Sequence, residues 1–117
     1  MDQQAVRDHV QATCDALLAG DIERAATELS NELRSNMGQF VVLLPLPLTE
    51  ATIESLEPGG TGWVAILRLV GESDEVRLQT RWKDRDGEPR MVEASHIAPP
   101  QPVPAEEGED SESEAQT

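Results

Sequence analysis

Two side chains in this sequence of 117 residues, His9 and His96, can exchange a proton near neutral pH. Cys14 is the single thiol. It has no partner for an internal disulfide and no second thiolate for a zinc site, and among the apolar positions of a helix it reads as a small buried hydrophobe. Two histidines without a carboxylate at ligand spacing do not make a metal centre, so no metal and no cofactor are expected. Gly59-Gly60-Thr61-Gly62 lacks the lysine and the following helix of a phosphate loop and reads as a turn. No Gly-x-Ser-x-Gly elbow, HExxH or CxxC is present. Arg68, Arg77 and Arg81 form a basic set that could receive an anion, although such residues more often solubilise the outer face of a sheet.

Composition narrows the partners these residues could meet. The formal net charge is −14, opposite to the basic footprint that a phosphate backbone selects, so neither nucleic acid nor an anionic membrane surface is expected as a partner. Aromatic residues make up only 3% of the chain (Phe40, Trp63 and Trp82), too few to stack bases. The core must then be built from Val, Leu, Ile, Ala and Met. The sequence opens Met-Asp-Gln-Gln without a basic and apolar leader, and its longest apolar run, Phe40 to Leu44, is too short to cross a bilayer. A cytoplasmic location is expected.

From Ala98 the composition shifts to APPQPVPAEEGEDSESEAQT, with four prolines and six acids. Such a segment buries too little surface to offset its ordering entropy. We therefore expect one domain over residues 1–97 and a disordered, Pro-rich acidic tail over 98–117. Removing the tail's six acids takes the net charge from −14 to −8, so the domain itself is acidic.

Before the tail, hydrophobic spacing sets out the elements. Asp2 caps a helix carrying Val6, Val10, Cys14 and Leu17 on one side and ending at Gly20. Asp21 caps a short second helix over Ile22 to Leu29. Ser30 caps a third, whose Leu33, Met37, Phe40, Val41 and Leu44 keep the helical period until Pro45. The period then changes to two. Thr52 to Leu56 is a weak strand, Trp63 to Val70 a stronger one, Glu75 to Lys83 alternates cleanly, and Met91 to Ile97 closes the series. The fold class is α+β: three N-terminal helices on a curved antiparallel sheet of about four strands, one face covered and one wet.

The register of the last hairpin decides what lies inside. A two-residue loop, Asp86-Gly87, pairs Trp82 with Met91, Thr80 with Glu93 and Leu78 with Ser95, turning His96 outward beside Arg77. A three-residue loop, Asp86 to Glu88, pairs Trp82 with Val92, Thr80 with Ala94 and Leu78 with His96. The second is preferred, because the first would bury Glu93 unpaired. A four-residue turn, Gly71 to Asp74, then sets Trp63, Ala65, Leu67 and Leu69 opposite Trp82, Thr80, Leu78 and Val76.

The element order, the phrase Ala16-Leu17-Leu18-Ala19-Gly20-Asp21-Ile22-Glu23-Arg24-Ala25 and the closing segment Arg81 to Ala94 resemble the nuclear transport factor 2-like superfamily, including the SnoaL-like cyclases and ketosteroid isomerases. That resemblance implies a sheet curved into a cone around an apolar pocket. Lining positions here would be Trp63, Leu67, Leu78, Thr80, Trp82, Val92, Ala94 and His96. SnoaL-like cyclases often end in a strand whose Asp points into the pocket; in Met91-Val92-Glu93-Ala94-Ser95-His96-Ile97 the matching place is held by His96, which the resemblance makes a candidate acid/base. The chain is short for the superfamily, since the third helix follows the second without an intervening strand.

One plausible base without a clear oxyanion stabiliser favours a non-catalytic domain that binds a small apolar ligand or forms a homodimer. The alternative is a cofactor-independent isomerase, cyclase or hydrolase using His96, helped by Thr80 or Ser95.

Overall fold

The computed structural model describes residues 2–103, and the acidic segment 104–117 of the expected tail lies outside the described residues. Helix α1, Gln3–Leu18, begins where the Asp2 carboxylate accepts the Ala5 backbone N–H at 2.7 Å. It buries Val6, Val10, Cys14 and Leu17 and gives way at Gly20, whose φ of +76° suits a residue without Cβ. Asp21 caps α2, Ile22–Ala26, by accepting from the Arg24 N–H.

The region expected as one third helix is two: α3, Asn31–Arg34, capped by the Ser30 hydroxyl, and α4, Met37–Val41. The break falls at Ser35-Asn36. Asn36 leaves the helical region (φ −114°, ψ 39°), its backbone N–H donates to the Leu33 carbonyl, and its side-chain amide donates to the Glu32 carbonyl. Local side-chain bonding of this kind competes with helix continuation. The apolar period runs on unchanged across it, because both short helices turn the same kind of face to the sheet.

Four strands follow as a meander in the order β1-β2-β3-β4: β1 Leu48–Gly59, β2 Gly62–Gly71, β3 Asp74–Arg85 and β4 Glu88–His96. Strand β1 is longer than the weak Thr52-to-Leu56 reading. Its acids Glu50, Glu54 and Glu57 interrupt the apolar signal, but they belong to the wet face. The β2–β3 register is the expected one, with Trp63, Ala65, Leu67 and Leu69 opposite Trp82, Thr80, Leu78 and Val76.

The β3–β4 hairpin corrects the preferred three-residue loop. Asp86 (φ 57°) and Gly87 (φ 87°) form a two-residue turn, and Trp82 pairs with Met91. A one-residue irregularity between Arg81 and Trp82 then leaves Val92 as the extra residue, so that Arg81 pairs with Glu93, Thr80 with Ala94 and Leu78 with His96. The tight turn satisfies the loop chemistry, and the bulge keeps Glu93 in water.

After His96 the chain stays with the sheet. Strand β5, Gln101–Pro102, pairs with Asp74 and Glu75, and the Val103 N–H donates to the Ser73 carbonyl at 2.9 Å. The helices cover one sheet face, burying Val10, Leu17, Phe40, Leu67, Trp82 and Met91 in one core. Between α2 and α3 the chain meets β4 in a parallel bridge between Leu29 and Met91, where the Met91 N–H donates to the Glu28 carbonyl and the Ser30 N–H to the Met91 carbonyl.

Candidate functional site

His96 enters the covered side of the sheet opposite Leu78, as the shifted register requires. Its Nε2 donates to the Leu43 carbonyl oxygen at 2.8 Å. The imidazole thus fastens the end of β4 to the residues after α4, where a helix end leaves carbonyls without intrahelical partners.

Around it, the expected lining residues divide into two groups. Leu67, Leu78, Thr80 and Trp82 are fully buried and fill the interior. The Trp82 indole N–H donates to the Thr80 hydroxyl at 2.9 Å, and that hydroxyl donates to the Ala65 carbonyl at 2.9 Å. Every polar atom in this chain of bonds has a partner, so burial costs little. Trp63, Val92, Ala94 and His96 are half-buried. Ser95 pairs with Gln79 and is exposed, so the geometry does not bring it together with Thr80 and His96 around one open volume.

Two concavities do open on the helix side. One, of about 430 Å³, lies between α3–α4 and β4, with Leu33, Phe40, Leu43, Val92 and Ala94 as its apolar lining. The other, of about 310 Å³, lies between the start of α3 and the β3–β4 hairpin and gathers Arg34, Arg85 and Arg90, with Glu32, Asp86 and Glu88. The sequence reading missed the arginines, because the backbone pairing near α3 and the β3–β4 hairpin is the isolated Leu29–Met91 bridge. A one-residue bridge leaves no run of alternation to read.

Glu32, at the edge of this cleft, is held mainly by local hydrogen bonds. Hydrogen bonds from its own backbone N–H and from the Ser30 hydroxyl hold its carboxyl below the usual range, with a smaller contribution from the positive charge of Arg85. The second histidine has a structural partner: His9 Nδ1 lies 2.7 Å from Glu28 Oε1, which is itself 3.8 Å from Arg90 Nη1, so the group ties α1, the turn after α2 and β4 together. Cys14 is 1% exposed, and burial, with a lesser contribution from Asp15, pushes its thiol up to about 12. It is therefore protonated at physiological pH and no nucleophile.

The arginines of the outer sheet face are paired. Arg68 bridges Glu50 and Glu75, Arg77 meets Glu54, and Arg81 meets Glu93, all between 2.9 and 3.3 Å. Among the described residues no three His, Cys, Asp or Glu side chains converge as metal ligands, and no helix is long and apolar enough to cross a membrane.

No family model matches the chain, and no curated protein matches it in sequence. Among solved structures it is similar to an NTF-2 like protein of unknown function from Burkholderia xenovorans LB400, with a TM-score of 0.60 and 13% identity over 83% of this chain and 86% of that one. The fold is that of nuclear transport factor 2-like proteins, as the resemblance implied.

Proposed function

We propose that this nuclear transport factor 2-like domain is a non-catalytic interaction module that forms a homodimer through the outer face of its sheet. The observation that carries the reading is the contrast between the two faces. Inside, four of the positions that would line a reaction pocket, Leu67, Leu78, Thr80 and Trp82, are buried in mutual packing, and His96 is engaged with a backbone carbonyl. Outside, Ser55, Ile66 and Gln79 pair across β1, β2 and β3, and Ser95 continues the row on β4. This uncharged strip, with half-buried Ile66 and the neighbouring half-buried Val64, is bordered by the ion pairs of Arg68, Arg77 and Arg81.

A strip without charge inside a charged rim has the charge depletion found at the centre of a specific interface, and a twofold contact presents the same patch from both copies. Acids and bases stand on both borders of the strip, so a second copy meets opposite charge as well as like. Light scattering on the eluting protein tests this. The wild type should show twice the chain mass at micromolar concentration, and Ile66→Asp, which places a charge on an already wet face, should elute as a folded monomer. A wild type that stays monomeric, or a dimer indifferent to Ile66→Asp, would overturn the reading.

A further inference from the structure

The two helix-side concavities share Glu32 as a lining residue and follow one another along α3, and they differ in chemistry. At one end the floor is Phe40 and the walls are the half-buried Leu33, Leu43, Val92 and Ala94, with Val92 placed there by the bulge. At the other end stand three of the chain's nine basic residues. Their acidic neighbours are largely engaged. Glu88 holds Arg90 at 3.0 Å, the Glu32 carboxyl is held by its own backbone N–H and the Ser30 hydroxyl, and Asp86 stays exposed at the hairpin tip. Arg34 reaches the Leu29 carbonyl at 3.3 Å and Asn31 Oδ1 at 3.5 Å, and Arg85 reaches the neighbouring Asp84 carbonyl at 3.3 Å. Among the described residues, neither guanidinium has a carboxylate within ion-pairing distance.

We infer that the two concavities act as one trough that binds a small amphiphilic carboxylate, its aliphatic body against Leu33, Phe40, Leu43, Val92 and Ala94 and its carboxylate between Arg34 and Arg85. An apolar body alone would leave the arginine end without a partner. A small hydrophilic anion would leave the apolar end wet. A guanidinium fork recognises a carboxylate in its own plane, and apolar contact along the groove adds affinity with chain length. This site lies across the sheet from the proposed dimer face, so either proposal can fail without the other.

The test is an NMR titration of the full chain with sodium decanoate below its micellar concentration, beside decan-1-ol and sodium acetate. Decanoate should bind saturably and shift the amides of Leu33, Leu43, Val92 and Ala94. Each methylene removed from the probe should weaken binding roughly fourfold. Decan-1-ol should bind at least about tenfold more weakly, and acetate should leave these amides unmoved. The double variant Arg34→Gln/Arg85→Gln alters two exposed side chains, so it should fold normally; it should lose about tenfold in decanoate affinity and none for decan-1-ol. Absence of saturable decanoate binding, equal binding of the alcohol, shifts confined to the outer sheet face, or an unaffected double variant would each overturn the assignment.

Discussion

Thr80 and Trp82 carry most of the polarity that this interior tolerates. Both are fully buried, and the indole N–H is satisfied by a hydroxyl that is itself satisfied by the Ala65 carbonyl. Thr80→Val keeps the shape and removes the acceptor, leaving the indole unpaired; chemical denaturation should show a loss of about 1–3 kcal/mol. Trp82→Ala should cost about 3–5 kcal/mol, since it opens a cavity the surroundings cannot refill. Trp82 was legible in the sequence because clean alternation from Val76 assigned its face. Its hydrogen bond was not, because alternation says nothing of side-chain partners. Cys14 makes a pH prediction. Its thiol titrates at about 12 in the folded chain, above its unfolded value, so its contribution is fully present below the unfolded pKa and falls as pH rises towards 12. A Cys14→Ala variant compared with wild type between pH 8 and 11 should therefore show the wild type losing more stability on the alkaline side, and thiol reagents should react at pH 8 only after unfolding.

At the scale of elements, the meander was readable and its irregularities were not. Strand β3 and its partner β2 took the expected register because each presents an unbroken period of two between turn residues. The β3–β4 hairpin required two devices at once, a tight turn and a bulge at Val92, and a sequence pattern with one offset free cannot reveal an offset that changes midway. The third helix fails for a similar reason, since Asn36 breaks the backbone without breaking the apolar spacing. Close backbone approach sets a further constraint at the start of β2. A Cβ on Gly62 would collide with the Trp82 carbonyl oxygen, so Gly62→Ala should destabilise by about 1–3 kcal/mol in thermal or denaturant unfolding, whereas Gly38→Ala meets open space and should not. The candidate site was legible only in part. Val92 and Ala94 were expected on the covered side, but Arg34, Arg85 and Phe40 line the concavities beside them through helix packing that no local pattern encodes.

The whole molecule separates a filled interior from two unlike surfaces. Its net charge of −14 favours self-solubility and disfavours association unless the contact patch is locally neutral, as the Ser55–Ile66–Gln79–Ser95 strip is. Deleting residues 104–117 should leave the thermal midpoint nearly unchanged, because that composition offers almost nothing to bury. Extending the deletion to residue 98 should lower it measurably, since β5 and the Val103–Ser73 hydrogen bond are then lost. The central claim is that function resides on the outer sheet face in contact with a second copy. It is tested most directly by an isotope-filtered NOE measurement on a one-to-one mixture of labelled and unlabelled chains. The account predicts intermolecular NOEs from the Ile66 and Val64 methyls to side chains of the same strip in the other copy. No intermolecular NOE at concentrations near a millimolar, or NOEs only from residues of the helix side, would contradict it.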